Sequence, residues 1–161
     1  MSVDDYFKRG YEYFEQNQYQ KAITEYEKAL KIDSKHYRVW YNMGVTYGML
    51  GEHNKAIECF QKVIEIKPKL EEAWYAMALA YGALKAHRKV IESCQKTVEL
   101  NPRHEKAWFN MAIAYGILGN QLQEIRCFEK ALEIVPNNEI AKKKLEDAKN
   151  KYSSCSEEKK M

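Results

Sequence analysis

The sequence predicts an all-α fold in which one helix–turn–helix unit is repeated four times. The first observation is a period of 34 residues that every tryptophan and every proline follows. These residues are Trp40, Trp74, Trp108, Pro68, Pro102 and Pro136. The second observation is composition, because only 7 glycines and 3 prolines occur in 161 residues, and abundant Ala, Glu, Lys and Leu favour helices. A fixed period of this length is typical of repeat proteins.

The same period extends back into a first copy that has no tryptophan. Two further residue types follow it through all four copies: Ile23, Ile57, Ile91, Ile125, Tyr13, Tyr47, Tyr81 and Tyr115. The aligned repeats are 3–36, 37–70, 71–104 and 105–138. Within each repeat, apolar residues recur at helical intervals in two runs of about fourteen residues. A proline after the second run stops it in most copies, so we predict two helices per repeat and number its positions from 1 to 34.

The chain beyond the repeats is predicted to form one more helix and a tail. Residues 139–152 place Ile140, Leu145 and Ala148 among charged residues. This pattern indicates an amphipathic helix that covers the open end of the stack. Residues 153–161 are polar and are expected to form a disordered tail.

The repeated pattern resembles the tetratricopeptide repeat, in which W-x2-L-G-x2-Y is followed by A-x3-F-x2-A and a proline. The second repeat carries it as Trp40, Met43 in place of Leu, Gly44, Tyr47, Ala56, Phe60, Val63 in place of Ala, and Pro68. The resemblance covers residues 3–138. It implies a right-handed α-solenoid whose first helices line a concave groove that binds another protein.

Transferred by repeat position, the resemblance implies an apolar, partly aromatic groove. The implied groove residues are Phe7, Tyr11, Arg38, Tyr41, Asn42, Val45, Met49, Tyr75, Leu79, Lys106, Phe109, Asn110, Ile113 and Ile117. Gly48, Gly82 and Gly116 would leave room for a ligand backbone. The side chains at positions 5 and 9 either bind an apolar or amphipathic peptide segment or only pack against neighbouring repeats. The sequence leaves both interpretations open.

Some members of this family bind the C-terminal carboxylate of chaperones and need lysine and asparagine in the first repeat. Here those positions hold Phe7 and Tyr11, and Glu72 stands where such members carry a lysine. Because Glu72 would repel a carboxylate, the resemblance does not extend to this specificity.

The last two repeats depart from the pattern in ways that affect packing. Position 20 is alanine in the first two repeats but Glu124 in the last. Because a buried carboxylate without a partner is costly, we expect helix 121–134 to be shifted or splayed so that Glu124 reaches solvent. Lys85 replaces the turn glycine that Gly51 and Gly119 provide. We therefore expect the C-terminal half to be looser.

No group of residues indicates catalysis, so we expect neither enzyme activity nor a cofactor. A glycine-rich phosphate loop and a nucleophile elbow are both missing from the sequence. The four histidines recur at repeat spacing without a cluster of cysteines or carboxylates, so we expect no metal site. They are His36, His53, His87 and His104. The basic turn at Lys85–Lys89 is expected to be solvated, with contact to an acidic partner as the alternative.

The cysteines and the overall charge bear on location and partners. Cys59, Cys94 and Cys127 fall in predicted helices and are expected to be reduced, inert thiols, whereas Cys155 in the tail is expected to be reactive. The net charge of +3 with no strongly basic face argues against nucleic acid. No apolar run approaches the ~18 residues that span a bilayer, and the first residues do not resemble a secretory signal. We expect a cytoplasmic protein that does not insert into membranes.

Two functions follow from these observations. The first is an adaptor that binds a protein or peptide partner with apolar anchors in its groove. The alternative is a self-assembling scaffold, a homo-oligomer in which the apolar strip or the C-terminal end docks on another copy of the chain.

Overall fold

A computed structural model of the protein describes residues 1–158, in which nine α-helices and no strands occur. The helices are α1 (Val3–Glu15), α2 (Tyr19–Ile32), α3 (Tyr37–Met49), α4 (His53–Ile66), α5 (Glu71–Ala83), α6 (His87–Leu100), α7 (Glu105–Ile117), α8 (Gln121–Ile134) and α9 (Glu139–Glu158). The predicted fold class, an all-α solenoid of helix–turn–helix repeats, is confirmed. Each repeat supplies two of the first eight helices.

The residue at position 34 of a repeat often caps the helix that follows. His36, His104 and Asn138 occupy this position before α3, α7 and α9. The side chain of each accepts a hydrogen bond from the backbone N–H three residues later, at 3.4, 3.1 and 3.0 Å respectively. These bonds satisfy amide groups that have no partner within their own helix. Two of the four histidines therefore have a structural role.

The turn between the two helices of each repeat contains one residue with a positive φ angle, at position 15. The angle is 58° at Asn17, 75° at Gly51, 56° at Lys85 and 78° at Gly119. Glycine adopts this left-handed conformation freely, but a residue with a Cβ atom loses about 1–2 kcal/mol there. Lys85 thus keeps the turn geometry of the glycine that it replaces, and the lysine is strained.

The chain divides into two compact units, residues 1–84 and residues 85–161. Unit 1 contains α1 to α5, and unit 2 contains α6 to α9. The boundary falls in the turn between the two helices of the third repeat.

In unit 1 the two helices of a repeat come closest where the first helix carries a glycine. A Cβ atom on Gly10 would lie 2.5 Å from the ring of Tyr26, and one on Gly44 would lie 2.8 Å from the ring of Phe60. Both rings are buried. Because a real Cβ atom cannot approach a ring so closely, glycine at position 8 is what lets the aromatic residue at position 24 fill the space between the helices.

Each tryptophan makes the same hydrogen bond to the end of the repeat before it. In each case the indole Nε1 donates to the backbone carbonyl six residues earlier: Trp40 to Ser34 (2.8 Å), Trp74 to Pro68 (3.1 Å) and Trp108 to Pro102 (3.0 Å). The first two bonds lie in unit 1 and the third in unit 2. Each one ties the end of a repeat to the ring at position 4 of the next.

In unit 2, α9 packs against α8 and continues the 34-residue register. Ala141 and Ala148 hold the positions that Ala107 and Ala114 hold in α7, and all four are buried. The amide of Asn138 donates to Glu105 Oε1 at 2.8 Å, which ties the start of α9 to the start of α7. α9 therefore packs as the first helix of a fifth repeat would.

The last helix is longer than expected. The sequence pattern placed its end at residue 152, whereas α9 continues to Glu158. No glycine or proline interrupts residues 153–158, and the hydroxyls of Ser153 and Ser154 each donate to the carbonyl four residues earlier at 3.0 Å. The expected disordered tail is corrected to helix over these residues, and its remainder, 159–161, lies outside the described residues.

The buried hydroxyl of Tyr26 has no hydrogen-bond partner among the described residues, and the corresponding residues Phe60 and Phe128 lack a hydroxyl. Leaving a buried polar group unpaired costs about 1–3 kcal/mol. We expect Tyr26→Phe to raise the free energy of unfolding by about 1 kcal/mol, measured by urea denaturation. The reverse change, Phe60→Tyr, should lower it. A loss of stability in Tyr26→Phe would show that the hydroxyl is bonded.

The strain at Lys85 gives a second prediction. We expect Lys85→Gly to stabilise the protein by about 1 kcal/mol, since relief of the left-handed conformation exceeds the added flexibility of the unfolded chain. Thermal and urea denaturation measure the change. Lys85→Ala is the control, because it removes the charge and the long side chain but keeps the strained Cβ atom. An equal gain in both variants would contradict the backbone explanation.

Candidate functional site

The first helices of the repeats in unit 1, α1, α3 and α5, carry an exposed apolar surface, which we call the inner surface of unit 1. Tyr11, Met49 and Leu79 are 45%, 57% and 50% exposed, and Val45 is half-buried. These residues occupy positions 9 and 13, both of which the sequence placed in the groove. Single exposed apolar side chains are common on any protein, but several on one surface are typical of a surface that binds another molecule.

The aromatic residues at position 5 are less available than the sequence suggested. The ring of Phe7 lies 6.1 Å from that of Tyr26, and the ring of Tyr41 lies 5.7 Å from that of Phe60. Both position-5 residues are half-buried, and so is Tyr75. In the first two repeats, position 5 therefore packs on position 24 of the same repeat and offers only part of its ring to a ligand.

Polar groups in unit 1 flank the apolar residues. The side-chain amide of Asn42 donates to the carbonyl of Arg38 at 2.9 Å, so part of it is used within α3. Arg38 is exposed, and a hydrogen bond from its Nε to the Tyr37 hydroxyl at 3.3 Å raises the pKa of the guanidinium. Burial, and to a smaller extent the charge of Glu72, raise the pKa of Tyr41. The Tyr41 phenol therefore stays protonated and able to donate a hydrogen bond.

The predicted groove residues of unit 2 all lie on α7. Phe109 packs edge-on against Phe128 at 5.6 Å, which repeats the arrangement of positions 5 and 24 in unit 1. Ile113 and Asn110 are half-buried, whereas Ile117 and Lys106 are exposed. The inner surface of unit 2 is therefore apolar at the C-terminal end of α7 and cationic at its start.

Glu124 does not splay α8 away from α7. A Cβ atom on Gly116 would lie 2.5 Å from Oε1 of Glu124, so the carboxylate lies directly over this glycine. Phe128 and Ala131 of α8 are fully buried. The expected shift of α8 is therefore wrong, because the glycine at position 12 gives the larger side chain the space that it needs. Glu124 is half-buried, so it reaches solvent as expected without that shift. At Gly48, by contrast, no atom lies within 4 Å of where a Cβ atom would be.

The sequence analysis missed one set of exposed apolar residues. Position 14, at the end of the first helix, is leucine in three repeats, and Leu50, Leu84 and Leu118 are all exposed. Two of them directly follow the exposed residues Met49 and Ile117. Their 34-residue spacing was visible in the sequence, but a leucine at a helix end is indistinguishable by pattern from one in the core.

The cysteines of α4, α6 and α8 have the properties of structural rather than reactive residues. Cys59, Cys94 and Cys127 are buried free thiols. Burial raises the pKa of Cys59 and Cys94 to about 12 and that of Cys127 to about 11, which makes them poor nucleophiles. Cys155 lies among the residues whose side chains the structure does not describe. Within the described chain, no group of three His, Cys, Asp or Glu side chains is placed to hold a metal ion.

The paired helices, the capped junctions and the 34-residue register define a helical repeat protein. Models of the tetratricopeptide repeat match over residues 37–70, 71–104 and 93–126, and a further model described as a TPR repeat matches over residues 10–51. The chain belongs to the tetratricopeptide repeat family. Repeats of this family typically form non-catalytic scaffolds for protein interaction.

Two curated relatives match over little more than one repeat. Protein bimA of Emericella nidulans is 38% identical over 39 residues, and anaphase-promoting complex subunit 3 of Schizosaccharomyces pombe is 33% identical over 42 residues. The matches cover 24% and 26% of this chain but only 5% and 6% of those relatives. The chain thus spans a small part of their length.

Two solved structures are similar over most of the chain. A crystal structure of the MamA protein matches with a TM-score of 0.87 and 25% identity, over 91% of this chain and 80% of that one. The first TPR of Spaghetti (RPAP3), bound to the HSP90 peptide SRMEEVD, matches with a TM-score of 0.70 and 26% identity, over 75% of this chain and 96% of that one. Within residues 1–158, no helix has the length and apolar character needed to cross a membrane.

The position of Glu124 predicts a pH-dependent stability. Burial raises the pKa of Glu124 above its ordinary value of 4.5, and the charges of Lys151 and Lys144 oppose the rise. The stability that this group contributes is therefore present below pH 4.5 and lost as the pH rises through the folded-state pKa. We expect Glu124→Gln to have a higher Tm than the wild type at pH 7, and the difference to shrink toward pH 4.

Thermal denaturation across this pH range measures the effect. Glu133→Gln in the same helix is the control, because Glu133 is exposed and pairs with Lys130 at 2.7 Å. A Tm difference for Glu124→Gln that does not change with pH would contradict the assigned pKa shift.

Proposed function

We propose that this protein is an adaptor that binds an apolar or amphipathic segment of a partner protein on its inner surfaces. The observation that carries the proposal is the set of exposed apolar side chains at positions 9 and 13 of unit 1, Tyr11, Met49 and Leu79. The packing of unit 1 leaves these three side chains exposed to water.

The chemistry of the inner surface favours apolar anchors over a carboxylate. Burying three large apolar side chains at roughly 1.5–3 kcal/mol each supports micromolar binding once the cost of association is subtracted. Arg38 and Glu72 are exposed charges of opposite sign in unit 1, so they suit orientation of a segment better than capture of one acidic group. This is the reason to propose a different ligand from the acidic HSP90 peptide bound by the Spaghetti (RPAP3) repeats.

The proposal includes a cytoplasmic location and excludes a role for a cofactor. Buried free cysteines in both units suit a reducing compartment. Partner binding alone accounts for the exposed residues, so no enzyme activity and no nucleic acid are part of the proposal.

The test uses peptides rather than an unidentified partner. Random linear peptides displayed on phage are selected on the immobilised wild-type protein, and the enriched peptide is synthesised with a fluorescent label. We expect its sequence to contain spaced apolar residues. We expect the double variant Met49→Asp/Leu79→Asp to weaken its binding by at least about tenfold, because each aspartate would have to be desolvated against an apolar anchor. Fluorescence anisotropy measures the affinity.

The matched control is Ile32→Asp. Ile32 is 55% exposed and lies at the end of α2, which is a second helix of a repeat. This variant introduces one aspartate into unit 1 away from the inner surface, against two in the Met49/Leu79 variant, and should bind like the wild type. Equal binding by the wild type and the Met49/Leu79 variant, with helicity retained, would remove the inner surface from the proposed function.

A further inference from the structure

Four repeat positions bury the junction between one repeat and the repeat before it. In the second repeat, positions 3, 7, 10 and 23 are Val39, Met43, Thr46 and Cys59, and all four are buried. Val39, Met43 and Cys59 belong to the same core cluster as Ala22, Ile23 and Tyr26 of α2. The fourth repeat holds Ala107, Met111, Ala114 and Cys127 at these positions, again all buried. A buried junction in this fold is therefore apolar or nearly so.

In the first repeat, every one of these four positions is charged. The residues are Asp5, Arg9, Glu12 and Glu25. They lie on the face of unit 1 that precedes α1 and α2, which we call the N-terminal face. At these four positions the first repeat thus carries charged residues where the later repeats carry apolar or small ones.

Two of these residues, Arg9 and Glu25, form a compact cluster of charges with Lys28. Arg9 Nε lies 3.5 Å from Glu25 Oε2, and Lys28 Nζ lies 2.6 Å from Glu25 Oε1. Glu25 is only 4% exposed, whereas Arg9 and Lys28 keep nearly half of their side-chain surface in water. The two cations therefore shield the carboxylate from solvent while remaining hydrated themselves.

Lysines also cover the aromatic rings of this face. Lys28 Nζ lies 5.9 Å from the centre of the Tyr6 ring, and Lys21 Nζ lies 5.6 Å from that of Tyr13. These tyrosines stand at positions 4 and 11. The apolar surface that the rings would offer to another helix is thus already covered by cations.

Docking of a further helical pair on this face would be costly. It would strip water from Arg9, Lys28 and Glu12, and an apolar surface offers no hydrogen bonds in return. A polar outer face of this kind keeps a solenoid repeat soluble without a further repeat packed on it. The cost applies equally to a repeat of a second copy.

We infer that the charged residues Asp5, Arg9, Glu12 and Glu25 prevent a second copy of this chain from stacking on the N-terminal face. Of these four, Asp5 also caps α1, whereas Arg9, Glu12 and Glu25 stand where later repeats carry apolar or small residues. The inference is independent of what binds to the inner surface.

The test restores the residues of an internal repeat. The triple variant R9M/E12A/E25S gives the first repeat the residues that the third repeat carries at the same positions, Met77, Ala80 and Ser93. Asp5 is kept, because it shares a capping box with Ser2. Sedimentation velocity over a concentration series should show that the variant self-associates at least about tenfold more tightly than the wild type.

Two controls identify the cause. R9Q/E12Q/E25Q removes the same charges but keeps a polar face, and it should associate like the wild type. Adding Leu79→Asp to the triple variant should leave the new association intact, which would place it away from the inner surface. Circular dichroism verifies folding, and R9M/E25S replaces the triple variant if that variant does not fold.

If the folded R9M/E12A/E25S variant associates no more tightly than the wild type, the inference is overturned. It is also overturned if R9Q/E12Q/E25Q associates as tightly as R9M/E12A/E25S. If neither R9M/E12A/E25S nor R9M/E25S folds, the cluster is needed for stability and the inference also fails.

Discussion

In the first two repeats a ring of the second helix lies against a glycine of the first helix, and the packing of both repeats depends on this contact. Gly10 under Tyr26 and Gly44 under Phe60 leave no space for a Cβ atom, so the two helices can approach until the ring fills the gap between them. The fourth repeat reaches the same result with Ala112 and Phe128, both fully buried. The ring at position 24 then supplies the surface on which position 5 packs. That packing removes part of Phe7, Tyr41 and Phe109 from solvent.

The same contact decides which side chains remain for a ligand. Position 5 packs on position 24, whereas exposed apolar residues of unit 1 occupy positions 9 and 13, one and two turns further along the helix. Tyr11, Met49 and Leu79 are the most exposed of the apolar residues predicted for the groove in unit 1. The space over the glycine at position 12 differs between the inner surface of unit 1 and that of unit 2. Gly48 is open, whereas the space over Gly116 holds the carboxylate of Glu124. A ligand backbone could approach closely at the first of these sites but not at the second.

The first repeat and α9 carry charged residues at different repeat positions. At the N-terminal face, Asp5, Arg9, Glu12 and Glu25 replace residues that are buried in later repeats. At the other end, α9 keeps the buried alanines of a first helix, Ala141 and Ala148. It nevertheless carries Lys142, Glu146 and Lys149 at positions 4, 8 and 11, where the other repeats hold aromatic or small residues. The helix can therefore pack on the repeat before it, while its remaining faces suit water.

The sequence by itself determined the repeat length, the helix pairs, the family and the start of the last helix. These features depend on local periodicity and on residues such as Trp40, Gly51 and Pro68, whose effects are carried by the backbone near them. Tertiary structure decided how much of Tyr41 is exposed, that Glu124 fits over Gly116 without displacing α8, and that Glu25 is buried between Arg9 and Lys28. Burial depends on neighbours that are distant along the chain, and the position of a residue within its repeat does not show which of these neighbours it contacts. For the same reason, the sequence showed four charged residues in the first repeat, but only the packing of the second repeat revealed that their positions belong to a junction.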